Sequence, residues 1–112
     1  MSALEAGTVR CIGLNYRDHA RECGLAIPEV PVSFFKAGTS IGHPGATVSV
    51  PAVAQADELD WEVELAVVLG KEAKDVSEAE AAECVLGYTV ANDVGLVSRC
   101  ASPLVSEVLT LA

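Results

Sequence analysis

The sequence predicts an α+β fold that is mainly β, and three features support this prediction. Residues 59–70 alternate apolar and charged side chains before a continuous apolar run, which is typical of a strand. Residues 87–94 form a second run rich in strand-forming side chains. Between the two runs, Ser77 and Glu80 fit a capping box, which predicts a short helix that ends before Gly87.

The N-terminal part of the chain adds two strands and a second helix to this prediction. Residues 8–14 are rich in Val, Ile and Leu and predict the first strand. Residues 15–24 predict a short helix, with Asn15 as its N-cap and Gly24 at its end. Residues 32–36 predict a further strand after a proline-containing loop.

Composition limits the classes of function that this chain can have. The 112 residues suit one domain, and a net charge of −9 disfavours binding to nucleic acid or to anionic membranes. No apolar run approaches the roughly 20 residues of a membrane helix. The four cysteines lack metal-binding spacing and are expected to be reduced and buried. With no leader pattern at its N-terminus, the chain is expected in the cytoplasm rather than in the mitochondrion.

An acidic pair lies within the strand predicted over residues 59–70. Glu62 and Glu64 are two residues apart, so their side chains project from the same face, with backbones roughly 6–7 Å apart. The apolar residues of the first half occupy the other face, and residues 66–69 are expected to enter a covered interior. The pair could form a solvent-facing strand surface, or it could supply hard oxygen ligands for a divalent cation.

Asp93 is the natural third ligand because it lies at the end of the strand predicted over residues 87–94. A neighbouring strand could bring this carboxylate beside Glu62 and Glu64. Three carboxylates from two strands would leave coordination positions open for water and substrate, as catalysis requires. Taken alone, the preceding Asn and Asp93 are also typical of a turn.

His19 and Glu22 form a second candidate group. At positions i and i+3 of the predicted helix they share one face, so the carboxylate can orient the imidazole as a general base for water. The alternative is a surface helix with a chance arrangement of charges. Lys36 is a third candidate, although a lysine at the end of an apolar strand can simply extend its ammonium to the surface.

Four segments of the chain, in this order, resemble the signatures of the fumarylacetoacetate hydrolase family. Residues 13–20 (GLNYRDHA) resemble its G-x-N-Y-x-x-H-A opening, and residues 31–36 (PVSFFK) resemble its P-x-x-F-x-K segment. Residues 59–70 (LDWEVELAVVLG) are similar to its D-[YW]-E-x-E-L-x-V-V-x-G motif, and residues 87–94 (GYTVANDV) to its G-Y-x-x-x-N-D motif. The ordered set is far more specific than any one of its members.

The resemblance implies a mixed β-roll of the fumarylacetoacetase C-terminal-like type, usually in homodimers. It implies that Glu62, Glu64 and Asp93 bind a divalent metal, with Mg²⁺ expected and Mn²⁺ or Ca²⁺ as alternatives. It also implies that His19 and Glu22 form the dyad that activates water, and that Lys36 lies near the substrate.

The function implied by the resemblance is a metal-dependent enzyme acting on small 2-oxo or diketo acids. Family reactions include hydrolysis of a C–C bond, as in acylpyruvate or fumarylacetoacetate cleavage, and decarboxylation or tautomerisation of oxaloacetate. One site architecture can host several of these reactions. The four motifs do not choose among them.

The resemblance ends after Val94. We therefore predict a partial catalytic domain over residues 9–94 and a divergent tail over residues 95–112, so that the β-roll is incomplete. A partial fold would leave apolar faces around residues 63–67 uncovered, and we expect little or no activity from this chain alone. The alternative function is a noncatalytic metal-binding remnant, or an interaction subunit of the same fold.

Overall fold

The computed structural model describes residues 7–50, 52, 59–96 and 108–111. Strands dominate the described residues, and two short α-helices and one 3₁₀ turn accompany them. This confirms the mainly β α+β class. The elements in chain order are β1 (Val9–Gly13), α1 (Arg17–Glu22), β2 (Val32–Lys36), the 3₁₀ turn (Gly38–Ser40), β3 (Ile41–Gly42), β4 (Leu59–Leu69), α2 (Glu78–Glu83), β5 (Val85–Leu96) and β6 (Val108–Leu111).

The strands form two sheets. β1 and β2 pair antiparallel, with α1 in the connection between them. The second sheet has the order β3-β6-β5-β4, in which β3 and β6 are parallel and the other pairs are antiparallel. β6 lies in the predicted divergent tail, where no element is predicted from the sequence, and most of that tail lies outside the described residues. The closure of the sheets into a roll therefore stays a prediction.

The pairing of β4 with β5 sorts their side chains onto two faces. The register aligns Glu62 with Asp93 and Leu65 with Val90, and directly opposed residues point to the same side of an antiparallel pair. The alternation predicted for the first half of β4 is therefore confirmed, with Glu62 and Glu64 on one face and Trp61, Val63 and Leu65 on the other. A register shift between Val68 and Leu69 marks the end of the regular pairing.

The expectation that residues 66–69 enter a covered interior is wrong for the described part of the chain. Val67 is 50% exposed and Leu69 is 61% exposed. Trp61, Val63 and Leu65, on the same face of β4, are also exposed. Among the described residues, the buried apolar residues are small and few: Ala20, Cys84, Ala91 and Val94.

Helix α1 confirms the helix predicted after β1 but not its predicted N-cap. The N-cap is Tyr16, which has an extended backbone and makes no side-chain capping bond. The predicted end at Gly24 is confirmed, since this glycine has φ +65° and its amide donates to the Arg21 carbonyl at 3.1 Å. The Leu25 amide donates to the Ala20 carbonyl at 2.9 Å, which completes a Schellman motif.

Helix α2 begins with the predicted capping box. The Glu80 amide donates to the Ser77 hydroxyl at 3.4 Å, and the Ser77 amide donates to Glu80 Oε2 at 2.8 Å. The Ser77 hydroxyl also donates to Glu80 Oε2 at 2.7 Å. The hydrogen bonds from the backbone and then the side chain of Ser77 hold the pKa of Glu80 below its ordinary value.

The cysteines within the described residues form no disulfide with one another. Cys84 is buried, whereas Cys11 and Cys23 are half-buried rather than buried as expected. Cys100 lies outside the described residues. Among the described residues, no helix has the length and apolar character needed to cross a membrane.

Candidate metal centre

The β4–β5 pair brings three carboxylates together on one face. Glu62 and Asp93 are direct cross-strand partners, and Glu64 follows Glu62 by two residues on the same side of β4. One oxygen from each of the three residues lies within 4.8 Å of the others. The sequence-based grouping of Glu62, Glu64 and Asp93 therefore corresponds to a real convergence of oxygens, which we call the acid cluster.

The acid cluster lies at the boundary between solvent and protein. Glu62 is exposed, whereas Glu64 and Asp93 are half-buried. Like charges at this separation repel one another, and partial burial weakens the screening by water. A positive partner is therefore expected beside the more buried members of the cluster.

Lys36 supplies this positive charge. Its Nζ donates to Oδ1 of Asp93 at 2.9 Å and lies 2.8 Å from Oδ2 of the same carboxylate. The side chains of Lys36 and Asp93 are only 2% and 12% exposed, and the Lys36 ammonium also lies 5.8 Å from the centroid of the Phe34 ring. The alternative that Lys36 extends to the surface is wrong, because its ammonium is neutralised inside the protein.

The ion pair also links the two sheets. Lys36 is the last residue of β2 in the two-stranded sheet, whereas Asp93 belongs to β5 in the four-stranded sheet. The sequence could not predict this contact because 57 positions separate the two residues. The only local signal is a lysine at the end of the apolar strand, and that signal is also compatible with a surface position.

The donor set of the acid cluster fits a hard divalent cation. Three carboxylates with one oxygen each within 4.8 Å of one another form a concentration of negative charge that a cation can neutralise. Carboxylate oxygens suit Mg²⁺, Mn²⁺ and Ca²⁺ alike, and each oxygen of Asp93 keeps a further lone pair beyond its bond to Lys36. Glu62, Glu64 and Asp93 would hold the ion, and their chemistry does not select one of these metals.

The structure places His19 and Glu22 together on α1 but does not bring their side chains into contact. Among the described residues, the His19 ring contacts the thiol of Cys23, with 3.9 Å between Nε2 and Sγ. The ion pair within this helix joins Arg21 to Asp18 at 3.0 Å, and both side chains are largely exposed. The predicted dyad therefore rests on a shared helix and not on an observed contact.

A contact that the sequence does not predict connects α1 to β4. The Leu65 amide donates to the Tyr16 hydroxyl at 2.8 Å. Tyr16 immediately precedes α1, and Leu65 immediately follows Glu64. The helix that carries His19 is thus joined to the strand that carries two members of the acid cluster. A tyrosine at the start of a helix gives no sequence signal for such a contact.

Comparison with known proteins identifies the family of this chain. The family described as fumarylacetoacetate (FAA) hydrolase C-terminal matches residues 8–102. A fumarylacetoacetate hydrolase domain-containing protein 2 homolog from Dictyostelium discoideum is 50% identical over 91 residues, which cover 81% of this chain and 29% of that protein.

Two further relatives have specific names. Caffeoylpyruvate hydrolase from Neonothopanus nambi is 47% identical over 97 residues, covering 84% of this chain and 34% of that protein. Oxaloacetate tautomerase fahd2, mitochondrial, from Xenopus laevis is 45% identical over 84 residues, covering 75% of this chain and 26% of that protein. The chain thus spans between 26% and 34% of the length of these three relatives.

Solved structures agree with this relationship. The 5-carboxymethyl-2-hydroxymuconate delta-isomerase from Mycobacterium smegmatis matches with a TM-score of 0.67 and 45% identity, covering 83% of this chain and 36% of that chain. The structure of Cg1458 with inhibitor matches with a TM-score of 0.72 and 35% identity, covering 83% of this chain and 35% of that chain. The chain belongs to the fumarylacetoacetate hydrolase C-terminal family.

Proposed function

We propose that this chain provides the metal-binding part of an enzyme that acts on small 2-oxo or diketo acids. The observation that carries the proposal is the convergence of Glu62, Glu64 and Asp93 on one face of the β4–β5 pair. Lys36 supports it, because its buried ammonium holds one of the three carboxylates in place. Mg²⁺ is the proposed ion, with Mn²⁺ and Ca²⁺ as alternatives.

The named relatives support the substrate class. The hydrolase of caffeoylpyruvate, the tautomerase of oxaloacetate and the isomerase of 5-carboxymethyl-2-hydroxymuconate are all named for small carboxylic acids that carry an oxo or enol group. These names differ in the reaction, so the substrate class is proposed here and the individual substrate is not.

The bound divalent cation would supply Lewis acidity and a template for the carboxylate and neighbouring oxo group of such an acid. Glu62, Glu64 and Asp93 would hold that cation. The ammonium of Lys36 would orient Asp93 and add positive charge beside the anionic substrate, and this is the substrate-binding role proposed for it. An acidic protein requires such a local concentration of positive charge to accept an acidic substrate.

His19 is the proposed general base. It would take a proton from a water molecule or from the substrate, and Glu22 on the same helix would orient the imidazole when the substrate is bound. The ring of His19 contacts the thiol of Cys23 in the structure. The proposed activation of His19 therefore includes a change of partner, because hydrogen bonds of catalytic groups commonly tighten only when the substrate is bound.

The exposed apolar face of β4 and β5 favours a second candidate function. Trp61, Val63 and Leu65 form a face that a packed protein normally covers. The second candidate is a noncatalytic subunit of the same fold that binds metal and associates through this face. The predicted homodimer and the predicted cytoplasmic location stay proposals, and one relative is named as mitochondrial.

An assay at high protein concentration tests the proposed function. The purified chain is incubated with an acylpyruvate or with oxaloacetate, and release of pyruvate or loss of the enol absorbance is followed with and without Mg²⁺. We expect little or no turnover from this chain alone, and any turnover should require the cation, be lost in Glu62→Gln and be kept in the matched control Glu72→Gln, which lies on an exposed loop. Cation binding without turnover would favour the second candidate, and turnover unaffected by Glu62→Gln would contradict the proposed site.

A further inference from the structure

The hydrogen bond between Tyr16 and Leu65 lies at an open edge of the four-stranded sheet. β4 is the last strand in the sheet order, so one of its edges has no neighbouring strand among the described residues. The Leu65 amide points to that edge and donates to the Tyr16 hydroxyl at 2.8 Å. An unpaired amide at a strand edge otherwise bonds to water or to another chain. The Tyr16 hydroxyl is thus the hydrogen-bond acceptor for one backbone amide at the open edge of β4.

The stability of helix α1 depends on contacts outside the helix. It has six residues, far fewer than the roughly 12–15 at which an isolated helix becomes marginally stable in water. Its N-cap makes no side-chain capping bond, and Ala20 is its one buried residue. The helix therefore depends on contacts made by the residues that flank it.

Tyr16 makes one hydrogen bond to α1 and another to β4. Its backbone carbonyl accepts a hydrogen bond from the Ala20 amide at 3.1 Å, which closes the first turn of α1. Its side-chain hydroxyl accepts the hydrogen bond from Leu65 on β4. One residue therefore starts the helix and attaches that start to the strand, immediately beside Glu64.

We propose that Tyr16 is a positioning residue that holds α1, and with it His19, at a fixed place beside the acid cluster. This inference rests on the proposed function for the role of His19, whereas the attachment itself can be tested without it. The Tyr16 hydroxyl is not a catalytic group in this proposal. It acts through the helix, because loss of its bond to Leu65 lets the start of α1 separate from β4.

Tyr16→Phe is the most direct test because phenylalanine keeps the ring and removes the acceptor. Tyr88→Phe is the matched control, since the chain has two tyrosines and Tyr88 lies on the exposed apolar face of β5. Exchange of backbone amide protons is measured by NMR in the whole chain and in both variants. A hydrogen bond of ordinary net strength changes a local opening equilibrium by about tenfold.

We expect the Leu65 amide to exchange roughly tenfold faster in Tyr16→Phe than in the unmodified chain. The amides of Ala20 and Cys23, which bond within α1, should accelerate with it. Tyr88→Phe should leave all three unchanged. Acceleration of Leu65 alone would show that Tyr16 only covers the strand edge, which would overturn its positioning role. No acceleration at any of the three would overturn the attachment itself.

A second measurement reports the position of His19 relative to the acid cluster. Mn²⁺ is added as the probe, and the paramagnetic broadening of the His19 ring protons is compared with that of Ala91, whose partner across the sheet is Glu64. We expect Tyr16→Phe to reduce the broadening of His19 and to leave that of Ala91 unchanged. Equal broadening of His19 in both chains would overturn the positioning role.

The two measurements separate this inference from the proposed function. If Mn²⁺ fails to broaden Ala91 in the unmodified chain, then the acid cluster does not bind the ion and the proposed function fails. The exchange rates of Leu65, Ala20 and Cys23 would still decide whether Tyr16 holds α1 on β4, because they require no metal.

Discussion

The two faces of the β4–β5 pair differ in what they expose. One face carries the acid cluster, where the half-buried Asp93 is paired with the buried ammonium of Lys36. The other face carries large apolar side chains, among which Trp61, Leu65 and Tyr88 are between 65% and 68% exposed. The polar face is thus the better covered of the two, contrary to the usual arrangement of a half-buried strand.

This difference shows that the strand's alternation fixes which side chains share a face, but not which face is covered. Glu62 and Glu64 lie on one side of β4 because the side-chain period of a strand is two. Coverage is decided by contacts distant in sequence, such as the approach of β2 that brings Lys36 to Asp93. The ion pair between the two sheets therefore contributes to the organisation of the site.

The largest expected effect concerns the face of the β4–β5 pair that carries the acid cluster. Lys36→Met leaves Asp93 partly buried beside two other carboxylates without its positive partner. We expect the free energy of unfolding to fall by about 3–5 kcal/mol, as for other buried pairs that lose one member. Urea unfolding measures this change, and Lys74→Met on an exposed loop is the matched control.

A double variant separates the loss of the ion pair from the cost of leaving one charge unpaired. Lys36→Met combined with Asp93→Asn removes both charges, so we expect a smaller loss than from Lys36→Met alone. A loss from Lys36→Met no greater than that from Lys74→Met would mean that the ion pair does not organise this face.

The next effect concerns the exposed apolar face. Val63→Thr with Val67→Thr keeps side-chain shape and strand propensity but makes the face more polar. We expect weaker self-association in sedimentation velocity, because exposed apolar patches drive association. Val30→Thr, in the exposed loop before β2, is the control and should have no effect. Association that persists unchanged in the double variant would mean that another surface mediates it.

A smaller effect is expected at α2, which lies outside both faces. Ser77→Ala removes the oxygen that accepts from the Glu80 amide, and we expect a loss of about 1 kcal/mol in the free energy of unfolding. Ser77→Thr keeps a capping oxygen and should recover most of this loss. Thermal or urea unfolding of the two variants gives the comparison, and an equal loss in both would contradict the capping role of the hydroxyl.

The smallest effect is the pH dependence of this cap. The pKa of Glu80 is lowered by its bonds from Ser77, so the charged form stabilises the folded chain above the pKa of the unfolded state. This contribution is lost as the pH falls through the lowered pKa of Glu80 in the folded chain. NMR shifts of the first turn of α2 should follow that titration. Glu80→Gln should remove the pH dependence, and its persistence there would assign it to another group.

The contrast between α1 and α2 shows how much of the fold the sequence could predict. Both helices have six residues. α2 is specified locally by Ser77 and Glu80, three positions apart, so its start is predicted correctly. The N-cap of α1 is predicted wrongly as Asn15, because Tyr16 is held by a bond to β4 that is distant in sequence. A helix end can therefore be predicted where its cap is local, as at Ser77, and not where a contact distant in sequence holds it, as at Tyr16.

The candidate site follows the same rule. Glu62, Glu64 and Asp93 could be grouped from the spacing within β4 and the family motifs, and the register of β4 with β5 brings their oxygens together. The contact of Lys36 with Asp93 could not be predicted, because no local pattern distinguishes a buried lysine from one at the surface. The proposed pairing of His19 with Glu22 stays a prediction, since a shared helix face does not fix a side-chain contact.

Calorimetric titration with Mg²⁺ and Mn²⁺ tests the central claim that the acid cluster is a divalent metal site. It compares the unmodified chain with Glu64→Gln and with the exposed control Glu72→Gln. We predict that the unmodified chain and Glu72→Gln bind the ion equally, and that Glu64→Gln binds it at least roughly tenfold more weakly. Equal affinity in Glu64→Gln and Glu72→Gln, or no binding by the unmodified chain, would contradict the claim.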